Sequence, residues 1–144
     1  MARASSGVGL VELQRAVYAV LNTPPITSPL GARVYDDVPQ TAPLPYIRVD
    51  IVPGEPWDTM GRAGHTHLVD CHLFGAYAGT LLLAQLIDAV TSKLDGLPLP
   101  VPGYRVWDVM RQPQREAEDE LVAGVKTKHR VVPFRVLMTQ GEQP

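Results

Sequence analysis

The chain has 144 residues, of which 45% are hydrophobic and 19% are charged, and its formal net charge at pH 7 is -2. This length and composition predict one folded domain rather than a disordered chain. A charge so close to zero excludes an overall basic field that would concentrate nucleic acid. The single cysteine excludes an internal disulfide, and no apolar run reaches the roughly 18 residues that cross a bilayer. Residues 1–9 lack the apolar stretch of a signal peptide, so we expect a soluble protein made in a cytoplasm.

Two segments have the periodicity of amphipathic helices. The first covers residues 10–21 and places on one face Leu10, Leu13, Val17, Val20 and Leu21. The second covers residues 81–94 and has a continuous apolar stripe, with Thr80 as its predicted N-cap. Gly96 stands where a left-handed C-cap is expected. Both helices are therefore predicted to bury one face.

Four segments alternate apolar and polar residues as strands do, and they are residues 46–52, 65–74, 104–110 and 125–138. Residues 33–35 add a short extended piece, and Pro133 predicts an edge position or a bulge for the last strand. This order predicts an α+β two-layer sandwich, with a mainly antiparallel four-stranded sheet and two helices on one face. We expect a single domain over residues 9–139, a disordered start at 1–8 and a flexible end at 140–144.

A cluster of histidines and one cysteine is the first candidate for chemistry. If residues 65–74 form a strand, then His65, His67 and Cys71 share one face and can be considered as zinc ligands. His129 is the only other histidine that could complete such a set. The alternative, which we favour, is a half-exposed strand with ordinary polar side chains and a buried cysteine. We therefore predict no metal, no cofactor and no catalytic residue.

Two features suggest contacts with other molecules, and each also has a simpler explanation. Trp57 lies in a loop at residues 53–64, where a tryptophan is either an interface anchor or folds onto its own domain. Residues 111–124 are rich in acid and form either a solvated hairpin tip or a docking surface. The basic residues Lys126, Lys128 and Arg130 alternate along one face of the next strand, where an acidic neighbour could meet them.

The order of the segments resembles one known family. The most specific stretch is Val34-Tyr35-Asp36-Asp37-Val38-Pro39-Gln40 followed by Pro45-Tyr46-Ile47. Before it lies the helix around residues 13–21, and after it come Gly61-Arg62-Ala63-Gly64, the strand at 67–74, the helix at 81–94 and the hairpin at 104–138. Over nearly its whole length the chain resembles the bacteriophage tail-completion family, which includes the tail terminators of siphoviruses.

The resemblance implies a structural protein of the virion. It implies a ring, typically a hexamer of this chain, that caps the head-proximal end of the tail tube, stops tube polymerisation and presents a surface for joining to the head. The implied partners are further copies of the chain, the tail tube protein and the head-tail connector or neck proteins. DNA would pass through the ring without sequence-specific binding, and no membrane is involved.

We expect the contacts of such a ring to lie at the sheet edges, in the 53–64 loop and in the 111–124 hairpin. The expected interface residues are Trp57, Arg62, Arg111, Arg115, Glu116, Glu118, Asp119, Glu120, Lys126 and Lys128. Two other functions stay open at this point. One is a neck or head-completion adaptor, and the other is a small enzyme or metal-binding protein built on residues 65–72.

Overall fold

Two helices and one sheet make up the computed structural model, which describes residues 9–36, 38–39, 42–56, 64–76, 80–96, 99–116, 120–122 and 125–141. The helices are α1 (Leu10–Leu21) and α2 (Thr80–Leu94). The strands are β1 (Arg33–Tyr35), β2 (Tyr46–Val52), β3 (Gly64–Ala76), β4 (Tyr104–Arg111), β5 (Arg115–Glu116), β6 (Glu120–Val122) and β7 (Val125–Gln140). The predicted start at 1–8, most of the 53–64 loop and residues 142–144 of the predicted 140–144 end lie outside the described residues, whereas Gln140 is the last residue of β7.

The sheet has the order β1-β2-β3-β7-β4, and β5 and β6 continue along the same side of β7 as β4. Only the short β1 is parallel to its neighbour among the described strands. The predicted α+β architecture with a mainly antiparallel sheet is thus confirmed. The short extended piece predicted at residues 33–35 is β1, and β5 and β6 add to the predicted sheet because they are too short to produce an alternating sequence pattern of their own.

Both helices lie on one face of the sheet. α1 contacts β1, β2 and α2, and α2 also contacts β3, β4 and β7. The residues between the layers alternate with outward-facing ones, so that Val69, Cys71 and Leu73 of β3 are buried whereas Leu68 is exposed. Leu13, Leu21 and Leu86 complete the core from the helices and are fully buried. No helix in the described part of the chain is long and apolar enough to cross a membrane.

Pro133 was predicted to mark an edge or a bulge, and the edge alternative was wrong, since β7 lies between β3 and the β4–β6 side. The register does have an irregularity at Pro133, where residues 112–114 are opposite residues 132–133. Pro133 is tolerated there because the partner strand is interrupted opposite it. β4 ends where Arg111 pairs with Phe134, and β5 begins where Arg115 pairs with Val131. The Pro133 carbonyl accepts the Gln112 amide at 2.9 Å, so the missing N–H of proline faces the same gap.

The turn after α2 covers the outer side of β4. Gly96 has the left-handed conformation that the sequence predicts, with φ 72°, and its amide donates to the Val109 carbonyl at 2.8 Å. The Asp95 carboxylate accepts the amide of Arg111 at 2.9 Å. These two bonds occupy backbone groups that an edge strand would otherwise present to another chain.

Candidate assembly interface

The structure separates the three candidate zinc ligands. His65 and His67 are neighbours on the helix side of β3, with parallel rings 5.4 Å apart, and the Gly54 amide donates to His67 Nδ1 at 3.2 Å. Cys71 lies four residues farther along the strand, which is roughly 13 Å. Ligands of one zinc ion must each lie about 2.0–2.3 Å from it. Among the described residues, no group of three or more His, Cys, Asp or Glu side chains is arranged to hold a metal ion.

Cys71 and His72 face opposite sides of the sheet, as the strand pattern predicts. Cys71 is fully buried, and burial raises the pKa of its thiol far above the ordinary value. His72 points to the other side and pairs with different residues. The two side chains therefore cannot act as a nucleophile and base.

The side of the sheet away from the helices, which we call the open face, carries a chain of polar contacts at its middle. His72 Nδ1 lies 2.8 Å from His129 Nε2, and His72 Nε2 lies 3.2 Å from an Asp50 carboxylate oxygen. Arg48 also binds that oxygen at 3.3 Å. Burial, followed by the charge of Arg48, lowers the pKa of His72, although Asp50 and the nearby Asp70 act in the opposite direction.

Aromatic rings extend this polar cluster toward one end of the open face. Tyr46 and Phe74 are partners in the β2–β3 register and stack with centroids 4.8 Å apart. The His129 ring stacks on Phe74 from β7 at 4.2 Å, and the Arg48 guanidinium lies 5.7 Å from the Phe74 centroid. Tyr46, Phe74 and His129 are buried. At this end of the open face the aromatic rings therefore pack on one another and expose little surface to solvent.

The other end of the open face is apolar and exposed. Val52 of β2 and Leu68 of β3 are directly opposite each other and are 45% and 36% exposed. Arg135 of β7 is the direct partner of Leu68, and two positions farther along the same face of β7 lies the half-buried Leu137. Trp107 of β4 lies beside it and is 48% exposed. Large exposed side chains that cluster on one surface are typical of contact sites.

Trp107 was not among the predicted interface residues, although alternation from the buried Val106 already places it on the open face. The β4–β7 register shifts between Val106 and Asp108, so Trp107 is the extra residue. Its indole N–H donates to the Thr139 hydroxyl at 3.0 Å, and the Arg105 guanidinium lies 3.9 Å from its ring centroid. The three-residue spacing of the buried Val106 and Val109 was the available signal, since regular strands bury every second residue.

A second exposed surface lies on α1, on the opposite layer of the molecule. A groove of about 460 Å³ is lined by Val11, Gln14, Arg15, Tyr18 and Asp36. Val11 is 58% exposed and Tyr18 is 36% exposed. The Gln14 amide group donates to the Asp36 carboxylate, which joins α1 to the end of β1. The groove thus combines two apolar side chains with charges of both signs.

The residues predicted as an interface are not brought together in one place. Arg115 binds Asp70 of the same chain at 2.9 Å on the open face, and the Arg111 side chain contacts Gln114 at 3.4 Å. Lys126 and Lys128 lie on the opposite side of the sheet from Arg115, because the alternation along β7 places them on its helix side.

The acidic hairpin is described only in part. In the backbone register, Glu116 is opposite Arg130 and Glu120 is opposite Thr127. The other predicted positions, Trp57, Arg62, Glu118 and Asp119, lie outside the described residues. Their part in any interface stays a prediction.

Comparison with known proteins assigns the chain to a family. A chain of the virion of a native gene transfer agent (GTA) particle has the same fold, with a TM-score of 0.71 and 24% identity, over 90% of this chain and 95% of that chain. A second solved chain has a TM-score of 0.55 and 12% identity, over 93% of this chain and 96% of its own. No curated protein sequence matches. The sequence profile of the family described as tail completion protein gp17 matches residues 15–139. Since this match covers most of the sequence, the chain belongs to the tail completion protein gp17 family.

Proposed function

We propose that this protein forms a ring, a hexamer in its working state, that caps the head-proximal end of a phage tail tube. The match of residues 15–139 to the tail completion family carries this proposal. Membership in that family makes the protein a structural component of a phage tail, and its location is the virion. The ring, its position on the tube and its role in ending polymerisation are the proposed part.

The surfaces of the molecule support an assembly role. The open face presents Val52, Leu68 and Trp107, and the α1 groove presents Val11 and Tyr18 on the opposite layer. A subunit in a closed ring needs two different contact surfaces, because each copy meets one neighbour on each side. The two exposed surfaces meet this requirement without any rearrangement of the core.

The first test is the mass of the purified protein in solution, measured by light scattering after size exclusion over a wide concentration range. A discrete species near six times the 15.7 kDa subunit mass supports the ring. The second test adds the protein to polymerising tail tube protein and measures tube length by electron microscopy. A terminator shortens the tubes and is seen at one end only.

The same mixtures separate the terminator from a neck adaptor. An adaptor binds the connector proteins and leaves tube length unchanged. Unchanged tube length, together with no binding to tube ends, would contradict the proposed function even if the protein forms rings.

A further inference from the structure

Trp107 forms the centre of a small projecting group on the open face. It is the bulged residue of β4, it is 48% exposed, and its ring is held by the Thr139 hydroxyl on one edge and Arg105 above it. Asp108 follows at the end of the bulge and is exposed. Along the strand, the aromatic ring of Trp107 thus lies between the cation of Arg105 and the anion of Asp108. We call Arg105, Trp107 and Asp108 the bulge group.

The α1 groove carries the complementary chemistry. Its exposed apolar residues, Val11 and Tyr18, flank a space of about 460 Å³. Asp36 and Arg15 line the same groove and supply a carboxylate and an exposed guanidinium. An aromatic ring fits between apolar walls, and each charge of the bulge group has a counterpart of the opposite sign.

We propose that the bulge group of one copy occupies the α1 groove of the next copy. Trp107 lies between Val11 and Tyr18 of the neighbour, with Arg105 facing the neighbour's Asp36 and Asp108 facing its Arg15. The occupant is a second copy of this chain because both charges are matched on the chain itself. Tryptophan and arginine are also the residue types that most often dominate binding energy at interfaces.

The geometry of this contact determines the type of assembly. The bulge group lies on the sheet layer and the groove lies on the helix layer, so the two surfaces differ and the contact is head to tail. A head-to-tail contact closes into a ring if the rotation allows and otherwise gives a filament. The inference thus rests on the proposed ring and identifies the surfaces that form it.

Charge reversal tests the pairing directly. Arg105→Glu places two carboxylates together, and Asp36→Lys places two cations together. We expect each single variant to weaken self-association about tenfold or more, and the double variant to recover most of the loss. Arg33→Glu, at an exposed position outside both surfaces, is the matched control and should change nothing. A double variant as weak as the sum of the two single variants would overturn the inference.

Mixing two damaged chains gives a sharper test. Val11→Asp spoils the groove but leaves the bulge group intact, and Arg105→Glu does the reverse. Each variant alone should be monomeric. Their mixture should form a heterodimer and stop there, because only one intact surface pair exists between them. Leu81→Asp is the control for Val11→Asp, since both residues are exposed and second in their helices. Loss of assembly in Leu81→Asp, or larger species in the mixture, would contradict the proposed contact.

Disulfide cross-linking tests the same contact when the interface between copies is weak. Arg105→Cys and Asp36→Cys in one chain should give covalent multimers on oxidation, whereas Arg105→Cys with Leu81→Cys should not. The native thiol does not interfere because Cys71 is buried. Selective multimers support the contact even if the wild type is monomeric by mass, and their absence overturns it. If the wild type forms rings and caps tubes while all these variants behave as wild type, the contact is wrong and the proposed function stands.

Discussion

His72 and His129 share one hydrogen bond across neighbouring strands of the open face, with 2.8 Å between His72 Nδ1 and His129 Nε2. Asp50 lies 3.2 Å from the other ring nitrogen of His72. In the tautomer of neutral His72 that directs its proton at the carboxylate, Nδ1 accepts the proton of His129 Nε2. A second proton on His72 Nδ1 would face the proton of His129. The pair is therefore built for the neutral state.

This arrangement predicts a loss of stability in mild acid. The pKa of His72 is lowered from its ordinary value of 6.5, first by burial and then by Arg48. Below that ordinary value the unfolded chain binds a proton that the folded His72 resists, so the free energy of unfolding falls as pH decreases through it. Urea titrations from about pH 8 to about pH 5 measure the slope. In the His72→Gln variant the slope should be smaller, and equal slopes would contradict the prediction.

Gly54 is required by a close contact between backbones. A Cβ at this position would lie 1.3 Å from the Thr66 carbonyl oxygen, a distance that only a backbone shift can relieve. We expect Gly54→Ala to lower the free energy of unfolding by about 3 kcal/mol or more. Gly31→Ala is the control, because Gly31 has φ 74° but open space around it, and it should cost only about 1 kcal/mol. Equal costs for the two variants would show that the strands separate freely at Thr66.

Local sequence patterns predicted the helices and long strands well. α1 has the predicted limits of 10–21, and β2 has the predicted limits of 46–52. These elements have periodic apolar residues and clear stops, so their own sequence specifies them. The resemblance to the tail completion family, based on the segment order and on residues 34–47, is confirmed by the family match.

The sequence alone could not predict which residues of distant strands pair with each other. His72 and His129 are 57 positions apart, and only the β3–β7 register brings them together. Alternation from Val106 places Trp107 on the open face, but the bulge also moves Asp108 to that face, which strict alternation does not predict. The edge alternative for Pro133 was wrong for the same reason, since the interruption that accommodates this proline lies in a different strand.

The Cys71 thiol should be unreactive in the folded protein. It is fully buried, and its raised pKa keeps it protonated at neutral pH, whereas only the thiolate attacks a disulfide reagent. We expect an aromatic disulfide reagent to react with it at least about a hundredfold more slowly than in urea. The control is Cys71→Ala with Leu81→Cys, which moves the thiol to a position that is 73% exposed in the native side chain. Similar rates for the two chains would mean that β3 opens readily.

Asp95 protects the edge formed by β4, and its loss should be detectable at one amide. Its carboxylate accepts the Arg111 amide at 2.9 Å, beside the bond from Gly96 to Val109. Asp95→Ala should cost about 1 kcal/mol and should speed hydrogen exchange at Arg111 more than at amides in the middle of β7. Asp88→Ala, another exposed aspartate of the α2 region, controls for the lost charge. An uncovered β4 edge can pair with another chain, so Asp95→Ala should also aggregate faster than Asp88→Ala. If Arg111 exchange is unchanged, the backbone bond from Gly96 alone suffices to hold the edge.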